Sequence, residues 1–175
     1  MTARPDELLA RFGSPLFVYD GDAILARYAR LRAALPAECE VHFAVKANPA
    51  IGVLALLVRA GAGLEIASEG ELLAAQAAGC PPERILFAGP GKRDAELSAA
   101  VAAGVGGIHC ESSGELGRLD AIAAAAGRRV RCGVRVHVPW SAGEERPIIG
   151  GGGATKFGVS EAEARASVGA WAREF

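Results

Sequence analysis

Lysine is scarce in this chain. Of 19 basic residues only three are lysines, Lys46, Lys92 and Lys156, and the others are arginine. Arginine serves an ion pair as well as lysine does, but it cannot form a Schiff base, so each lysine is an informative residue. An excess of charge is also lacking: 19 basic residues stand against 20 acidic ones, for a net charge of −1. Nothing in that balance favours nucleic acid or an anionic membrane as a partner. The four cysteines, Cys39, Cys80, Cys110 and Cys132, form no Cys-x-x-Cys pair and share no spacing with the three histidines. A zinc site is therefore not expected, and the thiols read as small buried hydrophobes in a reducing compartment. The opening residues, MTARPDELLARFG, lack the apolar stretch of a signal peptide, and no run approaches transmembrane length. A cytoplasmic protein is the expectation.

What the chain does have is a repeat. Short apolar or β-branched runs occur at Val41–Val45, Leu64–Ala67, Ile85–Ala88, Gly107–Cys110 and Val130–Val136, spaced at first by about 22 residues. Alanine- and leucine-rich segments of helical spacing lie between them, at Val53–Ala60, Gly70–Ala78, Asp94–Ala103 and Glu115–Ala126. Strand and helix alternating at so short a period predict βα units on a parallel sheet. Ser68-Glu69-Gly70-Glu71, Ser112-Ser113-Gly114-Glu115 and Ser160-Glu161-Ala162-Glu163 are Ser-x-x-Glu capping boxes. Glycines at 61, 79, 104 and 127 follow the helices, where left-handed C-caps are wanted. No Gly-x-Gly-x-x-Gly follows the first strand, which favours a (β/α)8 barrel over a doubly wound sheet. About five βα units can be placed, whereas closure takes about eight strands, so the chain reads as part of a barrel, with a final helix over Glu161–Phe175. Ahead of the repeat, residues 13–20 read as a short strand ending at Asp20, followed by a helix through Leu35. The expected domains are an N-terminal segment over 1–20 and an incomplete barrel over 21–175.

The sharpest local signal is Val41-His42-Phe43-Ala44-Val45-Lys46-Ala47-Asn48-Pro49. A lysine there ends an apolar strand, at the rim where barrel active sites are built. Partial desolvation at that place would leave its amine more readily neutral and nucleophilic. Spacing alone, however, favours a surface lysine reaching solvent from a strand end.

The segment Phe43-Ala44-Val45-Lys46-Ala47-Asn48 resembles the cofactor-lysine motif of the fold type III pyridoxal-phosphate decarboxylases that act on diaminopimelate, ornithine and arginine. Further blocks resemble the same family in the same order: Phe12 to Asp20, Leu64 to Leu72, Ile85 to Lys92, Val134-Arg135-Val136 and Lys156-Phe157-Gly158. They cover nearly the whole chain. The resemblance implies an alanine-racemase-like barrel, with the short strand before Asp20 belonging to a further β-domain. It implies pyridoxal 5′-phosphate as cofactor, held through a Schiff base on Lys46, and decarboxylation of a small amino-acid substrate. Glu65 stands where the family usually has an aspartate near the cofactor, and Arg135 where it has a strand arginine close to it. A rim ion pair is the competing role for Arg135, and an exposed strand acid for Glu65. Ser68 and Glu71 are accounted for as a helix cap.

By the same resemblance, the ring-stacking histidine, the phosphate-binding glycines, the acidic partner of the pyridine nitrogen and the C-terminal β-domain would all lie past Phe175. His42, His109 and His137 are given no catalytic role, and Gly150 to Gly153 is read as a loop rather than a phosphate cradle. The expectation is an incomplete chain, not active alone, and a homodimer when complete. Alternatives are a racemase of the same fold type, which Asn48-Pro49-Ala50-Ile51-Gly52 fits less well, a non-catalytic pyridoxal-phosphate-binding or regulatory homologue, and a plain barrel protein in which Lys46 is structural.

Overall fold

The computed structural model describes residues 4–138 and 156–171. Its centre is a five-stranded parallel sheet in the order β1-β2-β3-β4-β5: β1 His42–Ala44, β2 Gly63–Ile66, β3 Ile85–Phe87, β4 Gly107–Cys110 and β5 Cys132–Val134. Strands adjacent in sequence are adjacent in space. This is the singly wound order of a (β/α) barrel and not of a doubly wound sheet, whose strand order reverses. Each strand returns through a helix: α3 Ile51–Arg59, α4 Glu69–Ala77, α5 Asp94–Ala103 and α6 Ser113–Ala125. Consecutive helices pack side by side along one face of the sheet.

The residues that form this face explain it. Leu64, Ile66, Ile85, Phe87, Ile108 and Cys110 are fully buried under the helices, with Leu54, Leu97, Leu116 and Leu119 packed against them from above. Along each strand the alternate residue is more exposed: Glu65 between Leu64 and Ile66, Leu86 between Ile85 and Phe87, His109 between Ile108 and Cys110. Strand side chains alternate between faces, so one apolar set is buried and the other, smaller and more polar, is left facing what would be the barrel interior. Each buried aliphatic or aromatic contributes roughly 1.5–3 kcal/mol. Phe87→Ala, at the centre of the face, would remove about 3–5 kcal/mol.

The helix starts follow the expected chemistry. The Ser68 hydroxyl accepts from the Glu71 N–H (3.2 Å) and the Ser112 hydroxyl from the Glu115 N–H (3.1 Å). Ser160 does the same for Glu163 (3.2 Å), opening α7 Glu161–Trp171. Gly104 ends α5 at φ 73° and ψ 41°, a left-handed cap that a side chain would strain. Ahead of the sheet lie α1 Pro5–Phe12 and α2 Gly21–Ala34, the latter capped by Asp20 and packed on α3 through Ile24 and Tyr28.

The sequence reading needs correction at helix α1 and at the fifth strand. Residues 13–20, read as a short strand belonging to a further β-domain, enter no ladder among the described residues; Phe17 is 85% exposed. Their apolar, β-prone composition describes a strand, yet a strand exists only with a partner, and β1 pairs with β2. Helix α1 was not anticipated at all. The fifth strand is shorter than Val130–Val136, and Val136 instead forms an isolated parallel bridge with Val159. The glycine run at 150–153 and the segment 139–147 fall outside the described residues.

Candidate active site

Lys46 sits on a single 3-10 turn, Val45–Ala47, directly after β1. Val45 is fully buried and fixes the turn to the core. The Lys46 amine, one position further, projects over the neighbouring strand and donates to Glu65 Oε1 at 3.1 Å. Ladder pairing of Ala44 with Glu65 places that carboxylate beside the turn. The two side chains are 63% and 33% exposed. The desolvation expected for a rim lysine is therefore not met, because the turn carries Lys46 out of the ladder into an open space. Ion pairs this exposed are worth about 0–1 kcal/mol, so the contact orients the amine more than it stabilises the fold.

That space is a pocket of about 480 Å³, lined among others by Lys46, Glu65, Ala88, His109, Glu111 and Arg135. Lys46, Glu65 and Arg135, singled out separately from 90 residues of sequence, thus line one cavity. Two of its lining residues are small, Ala88 and Gly133. A Cβ added at Gly133 would stand 3.2 Å from His109 Cδ2, so the glycine leaves room for that ring.

Arg135 follows β5 and donates from Nη1 to Glu111 Oε1 at 2.9 Å, while its guanidinium lies 4.7 Å from the centroid of the Phe157 ring. It is both a member of the cavity and half of an ion pair. Glu111 was missed in the sequence, as was the exposure of His109 to the cavity. The available signal was an acid standing between a strand end and a Ser cap, Cys110-Glu111-Ser112, where the corresponding place after β2 holds Ala67. Behind the cavity Lys92, wholly buried, donates to Glu115 Oε1 (2.7 Å), His109 O (2.6 Å) and Gly89 O (2.7 Å). Glu115 Oε2 in turn accepts the Glu111 N–H at 3.2 Å. His42, at the start of β1, turns to Glu40 (3.3 Å), and its buried Nδ1 has no partner among the described residues. Among those residues no group of His, Cys, Asp and Glu could hold a metal ion, and no helix is long and apolar enough to cross a membrane.

Comparison with known proteins gives a consistent picture. Residues 21–175 match the family described as pyridoxal-dependent decarboxylase, pyridoxal binding domain. A diaminopimelate decarboxylase of Aquifex aeolicus is 40% identical over 159 residues, which cover 91% of this chain and 38% of that protein. An L-glutamyl-[BtrI acyl-carrier protein] decarboxylase of Niallia circulans is 37% identical over 88% of this chain and 36% of its own length. Among solved structures, diaminopimelate decarboxylase from Helicobacter pylori, complexed with L-lysine, superposes with a TM-score of 0.89 at 30% identity, covering 98% of this chain and 43% of that one. The chain thus spans about two fifths of the length of these relatives.

Proposed function

The chain belongs to the pyridoxal-dependent decarboxylases, through their pyridoxal-binding domain, and on that premise we propose that Lys46 is its cofactor lysine, in an enzyme that removes the α-carboxylate of an amino acid of the diaminopimelate, ornithine or arginine type. The observation that carries this is the convergence of Lys46, Glu65 and Arg135 on one pocket, with the lysine amine 3.1 Å from the Glu65 carboxylate. The relatives named above are decarboxylases and not racemases, in keeping with the residues that follow Asn48.

The residues fit pyridoxal phosphate. A cavity of this size is ample for a small cofactor, Ala88 and Gly133 keep part of its lining small, and Lys46 brings the needed primary amine. The chemistry supplied by the bound cofactor is electron withdrawal from the α-carbon as carbon dioxide leaves. The chain's own part is positional. Lys46 would hold the cofactor through its amine and, once released from it, would be the group at hand to move a proton. Glu65 holds the amine by its 3.1 Å contact and offers a carboxylate to accept that proton. Arg135 brings a fixed positive charge to the far side of the cavity, where it orients acidic groups.

The experiment is an assay of carbon dioxide release from α-carboxyl-labelled amino acids by the full-length product of the gene, supplied with pyridoxal phosphate. Release that disappears in Lys46→Ala supports the proposal. A protein that takes up the cofactor at Lys46 yet releases nothing from any of these substrates would instead be the non-catalytic homologue.

A further inference from the structure

We propose that Glu111 is the positioning residue that holds Arg135 in the pocket, acting on it by two routes at once; the inference deepens the reading above and rests on it for the pocket's use. The Glu111 side chain is only 3% exposed, and both of its oxygens are engaged. Oε1 accepts from Arg135 Nη1 at 2.9 Å, and Oε2 accepts from the backbone N–H of Gly158 at 2.8 Å. Each oxygen of this carboxylate is thus committed to a neighbour, and its role runs through what it holds.

The direct route is the ion pair. Arg135 is 42% exposed on its side chain, and a long side chain at that exposure samples many rotamers unless it is tied. A buried carboxylate is a strong tie, because separation would leave the charge uncompensated in a low-dielectric place. The indirect route is the ring of Phe157. Gly158, its chain neighbour, is pinned by Glu111 on one side and by its own backbone on the other. At φ +71° a Cβ there would approach Arg135 O to 2.8 Å and His137 N to 3.0 Å. Adjacent bonds, Val159 N to Arg135 O (2.9 Å) and His137 N to Val159 O (2.7 Å), zip the same segment to the chain after β5. This sets Phe157 against the guanidinium at 4.7 Å, so Glu111 fixes the in-plane partner and helps fix the stacked one. Glu111 itself is set from behind, its N–H held by Glu115, which Lys92 neutralises.

Two variants of the chain test this. Glu111→Gln keeps the shape but replaces one acceptor by a donor, so either Arg135 or Gly158 loses its partner; Glu111→Asp keeps the charge. Arginine-directed modification with phenylglyoxal, resolved by peptide mass spectrometry, reads Arg135 directly and needs no cofactor. Arg135 should react several-fold faster in Glu111→Gln, with partial return to the parent rate in Glu111→Asp, while Arg128, bonded to Val101 O elsewhere, is unchanged. Equal Arg135 rates in parent and Glu111→Gln would overturn the proposal, as would a matching rise at Arg128, which signals general loosening. A second readout is pyridoxal-phosphate affinity by absorbance titration. Glu111→Gln should weaken it several-fold alone and add nothing to Arg135→Gln; additive losses would show Glu111 acting independently of Arg135 and overturn the proposal. Absence of cofactor uptake at Lys46 both by the parent chain and by the full-length product would count against the reading of the pocket, while the phenylglyoxal rates would still decide the place of Glu111.

Discussion

Lys92 and Glu115 meet at 2.7 Å with side chains 0% and 3% exposed, a fully buried ion pair directly behind a cavity whose own lysine is mostly exposed. The arrangement separates two lysines by task. Lys92 is saturated by two carbonyls and a carboxylate and lies 5.5 Å from the Phe87 ring. Lys92→Met leaves the Glu115 carboxylate buried without a counter-charge and is expected to cost about 3–5 kcal/mol. Urea denaturation of the variant measures it. A loss under 1 kcal/mol would mean that water or a rearranged side chain reaches the site, about the value of an exposed pair.

Lys46 and Glu65 should behave in the opposite way. Their pair is exposed, so Lys46→Ala and Glu65→Ala are each expected to change stability by no more than about 1 kcal/mol, measured by the same denaturation. A loss of several kcal/mol from either would make the pair part of the scaffold and remove the case for its use in chemistry.

Glu96 predicts the shape of acid unfolding. It is 8% exposed on its side chain and its carboxyl is held below the ordinary value of 4.5, chiefly by the Arg93 backbone N–H, then by the Arg93 side chain and the Glu69 N–H. A lowered folded-state value means that the contribution is fully present above 4.5 and is lost as pH falls through the lower value. Glu96→Gln should therefore cost about 0.5–2 kcal/mol near neutrality, the usual size of a helix-start contact. It should also flatten the fall in stability below the ordinary glutamate range. Parallel curves for the two proteins from neutral pH downward would contradict this.

The cysteines should react in a set order. Burial pushes the Cys110 thiol up to about 12, with Glu115 adding to the effect, and burial also raises Cys80 and Cys132. Cys39 is exposed. Thiolate is the reacting form, so iodoacetamide at pH 8 should modify Cys39 first and leave Cys110 untouched until the protein is unfolded. Early modification of Cys110 in the folded chain would show that the α6 side of the sheet opens readily.

Much of this was legible from residues alone, for local reasons. Ile66, Phe87 and Ile108 announce buried strands because β-branched and aromatic residues recur at one period, and Ser68 and Ser112 announce helices because caps are local. Lys46, Glu65 and Arg135 were singled out by resemblance; the structure lines one cavity with them, and the register of β1 on β2 explains why Glu65 reaches the lysine. What stayed hidden depends on partners far along the chain. Lys92 is buried only because His109 and Glu115 arrive 17 and 23 residues later. Glu111 is informative only once Gly158, 47 residues on, returns to it. Leu16 to Tyr19 has strand composition, but pairing is a property of two segments and composition reports one.

The most direct test of the central claim is borohydride trapping. The chain is incubated with pyridoxal phosphate, reduced, digested, and its modified lysine located by mass spectrometry. The account predicts modification concentrated at Lys46, with Lys92 unmodified until the protein is denatured. Labelling spread over Lys156 and the N-terminus with none selective for Lys46, in this chain and in the full-length product alike, would contradict it.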